Sequence, residues 1–302
     1  MEYNKKIRKH RFVESRPVLA SILACFFLFI LCQLIQRLAD MACNALISGY
    51  DFENGPVGLI VAVPIVFWLY TWWFRPEFEG MLKGDIPLGF KLLLIELVYV
   101  IASDVLEAVV EHTFYFGPLT MTILVVSFTA GIVEEFAFRG VIVSTLMRQW
   151  KDQGKFRTAA FISGLAFGLI HGLNVIGGAD PIRTLIQVLG SIGFGMLFAA
   201  VYLRCGSLIP PMFFHTLHDI IAIAASSDTS DTGIITGHVT WINLANFAME
   251  IGLGVIGWWL LRPEKHSEMK ELWNRKWNVP VIPAEVTPDE VTPAEERVSD
   301  IK

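Results

Sequence analysis

Three short stretches carry the residues able to do chemistry. Glu134, Glu135 and Arg139 stand in GIVEEFAFRG at residues 131–140. Helix positions four apart share a face, so the spacing pairs Glu135 with Arg139 and turns Glu134 elsewhere. His171 closes SGLAFGLIHGL at 163–173, and His215, His218 and Asp219 lie in PPMFFHTLHDI at 210–220. His215 and Asp219 share one helix face, with His218 turned about 60° from His215. A carboxylate with up to three imidazoles can activate a water, bind a metal or relay protons. Taken singly, each stretch also has a plain structural account: an ion pair, a histidine bonded to a carbonyl between packed helices, a hydrogen bond within one helix.

The elements that carry these residues make the grouping less casual. The first two stretches flank a basic loop with Arg148, Lys151, Lys155 and Arg157, and Glu134 and His171 are equidistant from its middle. In an antiparallel hairpin of two helices they therefore lie at one depth, about 20 Å or more from the loop's centre at about 1.5 Å of rise per residue. Gly164, Gly168 and Gly172 form a small-residue ridge that lets a neighbouring helix come close. His215 enters from the same side after Arg204, at a comparable depth.

Those helices belong in a membrane. The chain has 302 residues, 54% of them hydrophobic and 18% charged, and its mean hydropathy is +0.53. A soluble domain carries about 25% charged residues. The apolar excess is gathered into runs near the length of about 20 residues that a helix needs to cross a bilayer: 17–36, 56–74, 91–110, 113–133, 158–179, 184–203, 206–227 and 239–261. These predict an all-α polytopic membrane protein of about eight transmembrane helices. Basic residues crowd the N-terminal tail, the second, fourth and sixth loops, and the segment after the last run. The opposite loops hold only Arg37 and Arg183, a bias that puts both termini in the cytoplasm. The domain reading is a basic tail at 1–16, a helical core at 17–262 with the chemistry at 119–221, and a largely disordered acidic tail at 263–302.

The net charge of −5 divides between basic loops and that acidic tail, and nucleic acid is not suggested as a partner. The apolar runs make the lipid bilayer an expected partner. Cys25, Cys32, Cys43 and Cys205 have neither CxxC nor Cys/His ligand spacing. Glu96 and Glu250 are further ionisable groups inside the spans, where each costs at least about 2.5 to 3.5 kcal/mol. Asp104, Glu107 and Glu111 read as a solvated face at the outer end of the third span. The hydrolase motifs HExxH and GxSxG are absent from the sequence.

Together Glu134, Glu135 and Arg139 (EExxxR), Phe167 and His171 (FxxxH), and His215 and Asp219 (HxxxN/D) resemble the CPBP family, the CAAX-protease and bacteriocin-processing or Abi family of intramembrane metalloproteases. The resemblance covers 119–221 and implies hydrolysis of a peptide bond in a water-accessible cavity of the plasma membrane. It implies that Glu134 and His171 activate water, that His215 and Asp219 bind the metal or the carbonyl, and that Glu135, Arg139 and Phe167 support them. A divalent metal such as zinc needs at least three protein ligands, with His171 and His215 the candidates and a carboxylate completing the set. Prenylated CAAX-type and bacteriocin-type substrates, each a peptide or protein in or at the membrane, both fit the family. Two departures stand out: Phe198 follows Phe194 where the family has a small polar residue, and Asp219 replaces the commoner Asn. Two other functions remain open: a non-proteolytic bacteriocin self-immunity or membrane interaction protein, and an ion or proton transporter using Glu96 and Glu250.

Overall fold

The computed structural model describes residues 10–47, 49, 56–75, 77–110, 112, 114–225 and 239–278. The N-terminal 1–9, Glu111 and the acidic stretch 279–302 lie outside the described residues. What is described is all-helical, with an isolated antiparallel bridge between Phe78 and Trp277 in place of any strand. The helices are α1 (Arg11–Ser15), α2 (Pro17–Leu46), α3 (Val57–Trp73), α4 (Ile86–Val110), α5 (Met121–Trp150), α6 (Phe156–His171), α7 (Pro181–Cys205), α8 (Ile209–Ala225), α9 (Trp241–Leu260) and α10 (His266–Lys276).

Each of the eight apolar runs forms a helix. Among the described residues four of these, α2, α5, α6 with the 3₁₀ turn that follows it, and α7, are long and apolar enough to cross a membrane. A fifth qualifies if α9 and the segment Pro263–Lys276, bent by 56° at the break between them, count as one span. This is an integral membrane bundle. The run at 113–133 is displaced: its helix starts only at Met121, where the Thr120 hydroxyl accepts the Ile123 N–H at 3.2 Å and so satisfies one of the orphan donors of a first turn.

Sequence chemistry sets other helix ends. Asp180 caps α7 by accepting from the Ile182 and Arg183 N–H groups at 3.0 and 2.9 Å, with Pro181 in the first turn. Gly206 ends α7 with a φ of 74°, a left-handed conformation that suits glycine.

The centre of the bundle is α7, packed between α6 and α9. A Cβ on Gly195 would stand 2.8 Å from Cα of Gly164 in α6, so the two backbones touch. The predicted small-residue ridge works through Gly164 and Gly168. Gly172 lies beyond it, with only a Val188 methyl at 3.9 Å. On the other side, α8 packs against α4 and α5.

The segment from 263 is not tail from its first residue. α10 is polar, yet its Met269 and Trp273 are buried, and the Trp273 indole N–H donates to the Leu203 carbonyl at 3.0 Å. Trp277 stacks on Phe78 with ring centroids 4.4 Å apart. Two tryptophans and a methionine eight to sixteen residues past the last apolar run are enough to fasten this stretch onto the bundle.

Candidate functional site

The middle of α5, Ala130–Val143, adopts the wider π-helical form. Such i→i+5 turns are rare and concentrate at functional sites. This stretch holds Glu134, Glu135 and Arg139. Arg139 Nη1 lies 2.9 Å from Oε1 of Glu135, both side chains fully buried, as the spacing predicts. The guanidinium also lies over Phe167, 4.0 Å from the ring centroid, a cation–π contact that gives the motif phenylalanine a definite task.

Glu135 does more than hold its own helix. The same Oε1 is 2.8 Å from Nδ1 of His215 on α8. A carboxylate at Nδ1 fixes the ring's tautomer and orientation and stabilises the imidazolium. The approach is made possible by Gly131, where a Cβ would run into Thr216 and stand 2.9 Å from the Met212 carbonyl.

At the opposite ring nitrogen, His215 Nε2 stands 4.0 Å from Oε2 of Glu134 and 3.8 Å from Oδ2 of Asp219. Both separations exceed a hydrogen bond and match the gap that one water closes between polar groups. His171 is held differently. Its Nδ1 is 2.9 Å from the Phe167 carbonyl; a carbonyl only accepts, so Nδ1 carries a proton, and in the neutral ring Nε2 then holds the lone pair.

Glu134 and His171 share no hydrogen bond or ion pair among the described residues, although each lies within electrostatic reach of the other. The Phe167 ring packs edge-on against both His171 and His215, at 4.8 and 5.8 Å between centroids.

A cavity of about 340 Å³ is lined by Phe167, His171, Phe194, His215, His218 and Asp219 on one side. Its other wall was not foreseen from the sequence. Tyr99, Asp104, Glu107 and Glu250 line it, so Asp104 and Glu107 face a cavity instead of forming a plain solvated surface. Glu96 accepts from Nδ1 of His218 at 2.8 Å, and Glu250 from the Tyr99 hydroxyl at 3.1 Å. The sequence offered only the oddity of acids within apolar runs; their partners lie 122 and 151 residues away. Phe194 stacks on Phe198 at 4.2 Å between centroids, so the departure from the small polar residue builds an aromatic wall.

The donor set does not fit a resident metal as arranged. Among the described residues no three or more His, Cys, Asp or Glu side chains gather as a metal would need, and a zinc site takes at least three.

The all-helical membrane bundle thus sets His171, His215, His218 and Asp219 around one cavity, with Glu134 and Glu135 beside His215. Residues 116–221 match the family model of type II CAAX prenyl endopeptidase Rce1-like proteins, the CPBP/CAAX protease family that the motifs resemble. The match spans about a third of the chain and contains Glu134, His171, His215 and Asp219. Comparison with curated proteins and with solved structures gives no match.

Proposed function

We propose that this protein is an intramembrane endopeptidase of the CAAX type, cleaving a peptide bond of a membrane-associated, prenylated substrate. The observation that carries the reading is the position of His215 Nε2, about equally far from Glu134 and Asp219, 4.0 and 3.8 Å, at the edge of the cavity. A water fits between Glu134 and the imidazoles, and Glu134 takes its proton with His171 Nε2 accepting a second hydrogen bond. The resulting hydroxide attacks the scissile carbonyl. His215, charged and steadied by Glu135 at Nδ1, donates from Nε2 to the developing oxyanion, and Asp219, 3.8 Å from that same nitrogen, stabilises the imidazolium.

This chemistry uses only groups of the chain. The metalloprotease variant requires His171, His215 and a carboxylate to draw together, which exhaustive chelation tests. The reading also carries eight membrane crossings and both termini in the cytoplasm of a plasma-membrane protein.

The alternative, a bacteriocin self-immunity protein without proteolysis, has no need of a fully assembled acid–base set. Comparing peptides released from membranes that carry the wild-type protein and Glu134→Ala tests the choice and identifies substrates together. Peptides that disappear with Glu134→Ala support proteolysis, whereas identical peptide sets with a preserved immunity phenotype support the alternative.

A further inference from the structure

The mechanism above leaves one imidazole unused. His218 lies three residues from His215, lines the same cavity, and is buried but for a fifth of its side chain. Its Nδ1 is 2.8 Å from Oε1 of Glu96, whose side chain is 1% exposed. Tyr99 stacks on its ring with 5.9 Å between centroids, so the imidazole is fixed by a carboxylate at one edge and an aromatic face beside it. The arrangement repeats that of Glu135 and His215. Phe194 lies edge-on to both rings, 5.5 Å from His215 and 5.2 Å from His218. One extended peptide passing over Phe194 can therefore meet both imidazoles.

Amide hydrolysis needs two such groups. An oxyanion is stabilised at one place, and the departing nitrogen, a poor leaving group, must gain a proton at another. With Nδ1 committed to Glu96, Nε2 is the only nitrogen of His218 left to meet a substrate. Glu96 stabilises the charged ring, as a carboxylate does in other imidazole pairs.

Resting on the endopeptidase reading, we infer that His218, held by Glu96, is the catalytic residue that protonates the leaving amine. Collapse of the tetrahedral intermediate breaks the C–N bond, whose electron pair goes to nitrogen. Nitrogen takes the proton from Nε2 of His218 while the carbonyl re-forms. The proton that Glu134 took from water passes to solvent through the cavity, and His218 regains one from there, so the sum is water divided between the new acid and the new amine. Division of labour explains why α8 carries two histidines on neighbouring faces and why a buried glutamate in α4 waits for the second.

A matched pair of substrates tests this. One is a farnesylated CAAX peptide; the other is its depsipeptide, with an ester in place of the scissile amide. An alkoxide leaves without prior protonation far more readily than an amine, so loss of the proton donor falls on the amide. His218→Gln should lower amide turnover by about 10²-fold or more, within the range for general acids, and ester turnover by less than about tenfold. Glu96→Gln, which keeps a hydrogen bond to His218 but not the charge, should show the same selectivity more weakly. Retained ester cleavage also shows that the variant is folded. Equal loss on both substrates, or full amide activity in His218→Gln, overturns the role of His218 and leaves the endopeptidase reading intact. A wild-type protein that cleaves neither peptide overturns both.

Discussion

Glu135 on α5 and His215 on α8 are joined at 2.8 Å, and the same carboxylate oxygen meets Arg139 at 2.9 Å. One buried acid thus ties the arginine of its own helix to the imidazole of another. Glu135→Gln keeps the shape and can still accept from Nδ1, but cannot stabilise the imidazolium. Its kcat should fall about 10- to 100-fold with KM little changed. Glu135→Ala should also unfold more easily, by about 3–5 kcal/mol, because Arg139 is left a buried charge without its partner. Steady-state kinetics with thermal unfolding in detergent separate the two effects; a Glu135→Gln enzyme at full kcat would reduce Glu135 to a helix staple.

The contact between α5 and α8 depends on Gly131. A methyl there meets Thr216 and stands 2.9 Å from the Met212 carbonyl, and backbone cannot step aside as a side-chain tip can. Gly131→Ala should cost about 1–3 kcal/mol from overpacking and lower kcat together with stability. Gly178→Ala, where nothing lies within 4 Å but φ is +98°, controls for the strain of an added methyl away from the interface. Equal kcat in Gly131→Ala and the wild type would mean that the helices have room to spare.

Metal removal has a clear expectation. No cluster of three or more His, Cys, Asp or Glu donors gathers among the described residues, and the proposed mechanism activates water with Glu134 and His171 alone. Exhaustive chelation, with removal verified by elemental analysis, should leave turnover unchanged. Activity lost on chelation and regained with zinc would show that His171, His215 and a carboxylate close around an ion.

At the C-terminal end, Lys276 is almost wholly buried and donates to the Lys83 carbonyl at 2.8 Å. Burial pushes its pKa down from 10.5 to about 8. The unfolded chain therefore holds a proton between pH 8 and 10.5 that the folded protein has shed, so docking of α10 should strengthen as pH rises through that window. Hydrogen exchange along α10, corrected for its intrinsic pH dependence, measures it. Lys276→Met should flatten the trend; an unchanged slope in that variant would assign it to another group.

Much of the site was legible because hydrocarbon leaves few ionisable groups to choose among. Glu134, His171, His215 and Asp219 could be nominated as candidates from spacing and depth, although Glu134 and His171 make no direct hydrogen bond or ion pair among the described residues, and the ion pair of Glu135 with Arg139 followed from helical periodicity. Periodicity within a helix says nothing of what faces it across the bundle. The bonds from Glu135 to His215, Glu96 to His218 and Tyr99 to Glu250 join residues 80 to 151 positions apart. The wide turns of Ala130–Val143 were likewise invisible, since apolar patterning does not distinguish them from an ordinary helix. The start of α5 was placed too early because 114–120 is apolar without being helical. The folding of α10 onto the bundle was obscured by its charged residues, which hide Met269 and Trp273 in a polar average.

The central claim, that Glu134 draws the proton from the attacking water, is tested most directly by single-turnover cleavage of a farnesylated CAAX peptide in proteoliposomes. Wild-type protein should release the C-terminal tripeptide, and Glu134→Gln, equal in thermal stability, should do so about 10² to 10⁴ times more slowly. Release by Glu134→Gln at the wild-type rate would contradict the account.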